Sequence, residues 1–344
     1  MNRGRMVGFG RLRSVALAVA LGALLAACAD GGGGSGTKGG DDPLRVAFFA
    51  PLANTYVEAT TKGMQEVAKK ENVKITRFDT GFDAAKQFAQ VQDAITQGTF
   101  DAFIIIPLDS VGLVPAVEEA IEAGIKVVNT DLVLGPETTT SNPQVKGQAG
   151  SVVNPPSDRA DRMIEGIVAA CEGLDPCNVG FMAGEPSFDF EQEVKKRLDD
   201  LPNSQPNIAI KAYQSGHGYV AQPAIGITQN MLQANPDLDV LSISSDQASA
   251  GAEQAIKDAG KDGDIRLVSS GGSCPAVAAV KEGRWFATVI DLPRTEGRLG
   301  MQIAVDAVRG ELKGSKGLNP MDTLDRDPFV TKDNAEGFAC EWEG

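Results

Sequence analysis

Residues 83–107 read "DAAKQFAQVQDAITQGTFDAFIIIP", and the fold follows from this stretch. Asp83 is an N-cap residue type, Phe88, Val91 and Ile95 recur at i, i+3 and i+7, and Gly98 supplies a C-cap, so the first half predicts an amphipathic helix. The second half, "AFIIIP", is apolar at successive positions, as a strand buried on both faces must be. A helix opened by Ser110 and closed by Gly124 then leads into "IKVVNT" at 125–130, which runs straight into Asp131. Such alternation predicts a parallel sheet covered by helices on both sides.

Outward from there the pattern persists. Before it come the strand-like "LRVAFFA" (44–50), the helical "TTKGMQEVAKKEN" (60–72) and the β-branched "VKITRF" (73–78); after it comes "GSVVN" (150–154). A second round follows: a helix over 157–171, "NVGFMAG", a helix near 187–200, "NIAIKAY", a helix near 220–234, "DVLSIS", a helix over 247–259 and "DIRLVSS". "FATVID" (286–291), a helix from Pro293 to about Arg309 and an extra strand in "DPFVTK" (327–332) complete it. The expected fold class is α/β, two doubly wound parallel-sheet, Rossmann-like lobes of roughly five strands each. Ligands of open α/β sheets bind outside the carboxyl ends of the strands, so two facing lobes make a cleft that can close.

The N-terminus reads differently. Arg3, Arg5, Arg11 and Arg13 precede the 13-residue apolar run "VALAVALGALLAA", too short for a comfortable membrane span and of export-signal type. Leu25-Ala26-Ala27-Cys28 resembles a bacterial lipobox, which implies cleavage after residue 27 and acylation of Cys28. The glycine-rich 28–43 would then be a flexible tether with a reach of about 20 Å. Removing residues 1–27, which hold four arginines and no acids, takes the formal charge from −14 to −18. So acidic a chain, without a basic stripe, excludes nucleic acid as a partner.

Four cysteines remain, Cys171, Cys177, Cys274 and Cys340, and in an oxidising compartment they allow three pairings. The short loop "CEGLDPC" favours Cys171–Cys177, with Cys274–Cys340 tying down the tail. Zinc is the competing reading, but there is no CxxC and His217 is the single histidine. Catalysis finds little support: no G-x-S-x-G accompanies His217, and neither a P-loop nor a dinucleotide fingerprint occurs in a strand–turn–helix setting. No cofactor is expected, and the chain is read as a non-enzyme.

Four blocks, "DAAKQFAQVQDAITQGTFDAFIIIPLDS", "AIEAGIKVVNTD", "NMLQANPDLDVLSISSDQASAGAEQAIKDAGK" and "AVAAVKEGRWFATVIDLPRTEGRLG", resemble in order and spacing the type I solute-binding proteins of ABC importers, ribose- and galactose-binding branch. The resemblance runs along nearly all of residues 44–335. It implies two discontinuous lobes, 44–154 with 292–319 and 155–291 with 320–344, joined by crossings near Asn154, Asp291 and Asn319. It further implies a monomer enclosing a sugar or polyol, exported and lipid-anchored on the outer face of the cytoplasmic membrane or in the periplasm. Its partner would be an ABC permease with ATPase subunits.

Carried over residue by residue, the resemblance makes Asn54, Tyr56, Asp131, Tyr219, Ser245, Asp246 and Asp291 ligand contacts. Aromatic faces suit the axial hydrogens of a sugar ring, and carboxylates or amides suit its hydroxyls. Phe188, Phe190 and Trp342 are weaker candidates, and Trp285 reads as structural. The departures are electrostatic. Leu132 stands where the family has an arginine after the aspartate, "SFDFEQE" stands where it has another and brings in Asp189 and Glu191 as candidate ligand contacts, and Gly271 stands where it has an aspartate. Without those arginines the carboxylates would raise each other's pKa or call for a cationic partner. The alternative expectation is therefore a cationic or aminated ligand, or a signalling receptor without transport.

Overall fold

Hydrophobic residues at every position of a strand need two covered faces, and the first strand shows how they are met. In β1 (Leu44–Ala50), Val46, Phe48 and Ala50 enter one apolar core while Ala47 and Phe49 enter another on the opposite face. The computed structural model describes residues 42–344, which form one compact unit. The expected signal, Cys28 and all but the last two tether residues lie outside the described residues.

The first sheet continues through β2 (Val73–Asp79), β3 (Ala102–Ile105), β4 (Lys126–Thr130) and β5 (Gly150–Val152). Between and around them run α1 (Thr55–Lys70), α2 (Ala84–Gln97) and α3 (Val114–Glu122). The second sheet holds β6 (Cys177–Ala183), β7 (Ile208–Ser215), β8 (Val240–Ile243), β9 (Arg266–Gly271) and β10 (Ala287–Ile290). Its helices are α4 (Pro156–Ala170), α5 (Asp189–Ser204), α6 (Ala221–Ala234), α7 (Asp246–Asp258) and α8 (Cys274–Lys281). The chain then returns to the first sheet with α9 (Pro293–Arg309) and β11 (Lys316–Leu318), and ends in the second with β12 (Phe329–Thr331).

The strand orders are β11-β5-β4-β3-β1-β2 and β12-β10-β9-β8-β6-β7, parallel throughout except for the β10–β12 pair. Each sheet thus has six strands among the described residues; β12 of the second falls in the expected "DPFVTK", while β11 of the first was not expected. In both, the first strand has its successors on opposite sides, and the crevice beside it is where such folds bind ligands. Helices α1 and α9 cover one face of the first sheet and α2 and α3 the other. Elements change sheet between β5 and α4, between β10 and α9, and between β11 and β12.

Local boundaries follow their caps. Asp83 accepts from Lys86 N and Gly98 adopts φ +59°, so α2 begins and ends as its sequence predicts. Helix α3 starts later than the Ser110 expectation because the Asp109 carboxylate takes the backbone N–H of Val111 and Gly112, holding the chain in a turn. The disulfides are Cys171–Cys177 and Cys274–Cys340, as the loop lengths favoured.

Candidate functional site

The carboxyl ends of both sheets surround a cavity with about 640 Å³ of empty volume, its mouth included. From the first lobe come Asn54 and Tyr56 at the start of α1, Phe82 in the turn before α2, and Asp131 and Leu132 after β4. The second lobe supplies Arg159 from α4, Phe188 and Phe190 at the start of α5, Tyr219, Ser245, Gln247 and Ser270. Asp291, just past β10, and Trp342 of the C-terminal tail complete the wall. The structure thereby brings Asn54, Tyr56, Asp131, Tyr219, Ser245 and Asp291 together.

Two lining residues hold unusual backbones. Asp131 has φ +64° and Phe82 φ +60°, a left-handed conformation that a side chain with a Cβ adopts only when its surroundings impose it. At Asp131 the turn ends β4 and swings the carboxylate over the cleft. Asn54 and Ser245 also cap helices, accepting from Val57 N at 2.9 Å and Ala248 N at 3.1 Å.

The electrostatic expectation needs correction, because the cleft does contain an arginine. Arg159 donates to Asp291 Oδ2 at 2.7 Å, lies 3.8 Å from Asp131 and stacks 4.2 Å over the Phe190 ring. It comes from a helix rather than from the strand-end loops where the family pattern places its arginines. Burial opposes its charge, but Asp291 and Asp131 carry its pKa above the ordinary arginine value. Burial pushes Asp131 up to about 6, with Arg159 pulling the other way, and burial likewise raises Asp291.

Beneath this group sits Glu296 of α9, 2% exposed and absent from the sequence expectation. Tyr56 Oη lies 3.2 Å from both Asp131 Oδ1 and Glu296 Oε2, yet has a single proton to give. Burial and then the neighbouring Asp131 and Asp291 hold the Glu296 carboxyl well above its usual range.

Three predicted contacts lie off the cavity wall. Glu191, fully buried, accepts from Gly184 N at 2.7 Å, Ser244 Oγ at 2.8 Å and Tyr219 Oη at 3.1 Å, and burial raises it to about 7. It orients Tyr219 from behind. Gly184 is required beside it, since a Cβ there would stand 2.1 Å from Tyr219 Cε1. Asp246 points into the second lobe, taking Ser269 Oγ at 2.6 Å, Ser273 N at 2.7 Å and Thr288 Oγ1 at 3.1 Å. Asp189 lines a neighbouring cavity with Asp109, Ser110 and Gln192.

The lobes also touch directly. Thr138 Oγ1 donates to Glu193 Oε1 at 2.8 Å beside the start of α4, and at the cavity Phe82 packs against both Phe188 and Tyr219 with ring centres 6.2 and 6.4 Å away. Among the described residues, two buried polar atoms of cavity-lining side chains, Arg159 Nε and Ser270 Oγ, have no hydrogen-bond partner.

Residues 46–312 match the model of the periplasmic binding protein domain. The chain belongs to that family. Among curated relatives, the ribose import binding protein of Bacillus subtilis is 28% identical over 260 residues, covering 76% of this chain and 80% of its own. A xylitol-binding protein of Mycolicibacterium smegmatis is 25% identical over 327 residues, 95% of this chain and 87% of its own. In fold, a Bacillus halodurans ABC transporter solute-binding protein with bound myo-inositol superposes with a TM-score of 0.72 at 19% identity, over 87% of this chain and 98% of its own. Periplasmic binding proteins of this family are not enzymes, which agrees with the missing catalytic motifs.

Proposed function

We propose that this periplasmic binding protein is the extracytoplasmic solute-binding component of an ABC importer, and that it closes around a small sugar or polyol. The cavity between the two sets of strand ends carries the reading. It combines the rings of Tyr56, Tyr219 and Phe190 with the Asp131–Arg159–Asp291 group. Aromatic faces take the C–H surface of a sugar, while the carboxylates accept from hydroxyls and the guanidinium donates to them. The sugars and polyols bound by the relatives point the same way.

In this reading Asn54, Tyr56, Asp131, Tyr219, Ser245 and Asp291 contact the ligand together with Arg159, while Glu191 and Asp246 position their neighbours. The lobes are 44–154 with 292–319 and 155–291 with 320–344, hinged near Asn154, Asp291 and Asn319. Contacts from both lobes favour the closed form by differential affinity. Cys28 anchors the chain to the membrane and a permease receives the solute. The cationic-ligand alternative loses part of its support with Arg159, whose guanidinium pairs with Asp291 and lies beside Asp131.

Thermal-shift screening of residues 42–344 tests this with D-ribose, D-allose, xylitol and myo-inositol, against adenosine and putrescine. At least one of the first four is expected to raise the melting temperature in a saturable way. Stabilisation by putrescine or adenosine alone would refute the reading.

A further inference from the structure

The last residues of the chain cross from one lobe to the other. Cys340 is bonded to Cys274 at the first position of α8, and Cys274 N donates to Trp342 O at 2.8 Å. Trp342 Nε1 in turn donates to Gly271 O at 2.8 Å. These ties fix the tail to the second lobe. Toward the first lobe, the Trp342 ring meets Tyr56 edge-on at 5.5 Å. Glu341 accepts from Thr295 N at 2.9 Å and from Thr295 Oγ1 at 2.5 Å. Leu292 offers α9 no side-chain cap, so Glu341 supplies from another part of the chain an acceptor for a free N–H of its first turn.

Gly271 explains why the indole is there. It ends β9 with φ +140°, and a Cβ on it would fall 2.8 Å from Trp342 Cζ2 and 2.7 Å from Asp246 Oδ2. No side chain can project from position 271 into the cleft, and the space is taken by Trp342, which is 3% exposed and lines the cavity.

We propose that Trp342 is a ligand-contacting residue carried into the cleft on a disulfide-anchored strap, presenting its indole face to the C–H edge of a sugar or polyol. The proposal rests on the sugar or polyol reading above. Removing the indole removes a wall of the site, and releasing Cys340 from Cys274 frees the strap that holds it.

The chain has two tryptophans, and Trp285 is buried in the second lobe with its Nε1 on Glu253. Trp285→Phe in residues 42–344 therefore leaves Trp342 as the sole emitter. Each of D-ribose, D-allose, xylitol and myo-inositol that raises the melting temperature is titrated while its fluorescence is followed. The expected result is an emission change that saturates with the thermal shift. Trp342→Ala should weaken binding of the same compound by at least about tenfold, the cost of losing a buried aromatic anchor. The double variant Cys274→Ser, Cys340→Ser should weaken it less, in the same direction. A compound that stabilises the protein but leaves Trp342 emission unchanged overturns the inference and spares the sugar reading, as does unaltered affinity in Trp342→Ala. If none of the four stabilises the protein, the sugar reading falls and this inference with it.

Discussion

Replacing Arg159 with methionine keeps an unbranched apolar stem and removes the one cation that the described residues place on the cavity wall. Arg159 lies 2.7 Å from Asp291 and 3.8 Å from Asp131, and its side chain is 12% exposed. At an effective dielectric of about 20, those separations correspond to attractions of about 6 and about 4 kcal/mol, most of it spent on desolvating the three charges. What appears on removing one partner is the penalty of stranding the others, about 3–5 kcal/mol for a buried pair. The variant can escape part of it by protonation. Asp131 already has its pKa near 6 with Arg159 beside it, and without the guanidinium it rises further. The folded variant thus binds more protons than the folded wild type, and its deficit shrinks as pH falls, by about 1.4 kcal/mol per pH unit for each extra proton. Urea unfolding of both proteins at pH 8 and pH 5 measures this. A deficit of about 3–5 kcal/mol at pH 8, clearly smaller at pH 5, is expected. A deficit equal at both pH values, or below about 1 kcal/mol at pH 8, would show that the arginine does not neutralise this cluster.

The wild type should melt at higher temperature near pH 5 than near pH 8. Burial raises Asp131 and Asp246 to about 6 and Glu191 to about 7, so the folded state holds protons that the unfolded chain has released. That stability is complete below pH of about 4 and drains as pH climbs to about 7; a calorimetric profile rising with pH over this window would contradict it. Gly184→Ala should push the Tyr219 ring from its seat and cost about 1–3 kcal/mol in stability, with weaker binding of whichever sugar or polyol stabilises the wild type. Unchanged affinity by titration calorimetry would place Tyr219 outside the site. Thr138→Val deletes the 2.8 Å hydrogen bond to Glu193 between the lobes, worth about 1 kcal/mol. Stopped-flow release of the bound solute should quicken about fivefold, and an unaltered rate would mean that this contact does not hold the cleft shut.

Much of the fold was legible because strands such as β1 and β3 are apolar at every position, a pattern with few uses other than a sheet buried on both faces. Helix α8 and strand β11 were not. The first is eight residues of small and apolar side chains, too short for a helical period to emerge, and "KGL" of the second pairs through backbone alone. Polar residues at strand ends, such as Asp131 and Asp291, announce themselves by ending an apolar run. Arg159 does not: in "SDRADRMIEG" it is one charge among several on an amphipathic helix. It meets the cleft because α4 starts directly after the first change of sheet, which aims its first turn at Asp291. Glu296 is hidden in the same way at the start of α9. Trp342 is only a weaker candidate in the sequence, and it reaches the cavity on the tail that the expected Cys274–Cys340 disulfide ties down.

The contacts between the lobes, Thr138 with Glu193 and Phe82 with Phe188 and Tyr219, are made by the protein alone. They lower the free energy of the shut form whether or not a solute is inside. A resting population of shut, empty molecules follows. A membrane partner that reads only the outer surface would meet empty carriers as well as full ones. The strength of these few contacts thus sets how much solute must be present before most encounters are productive.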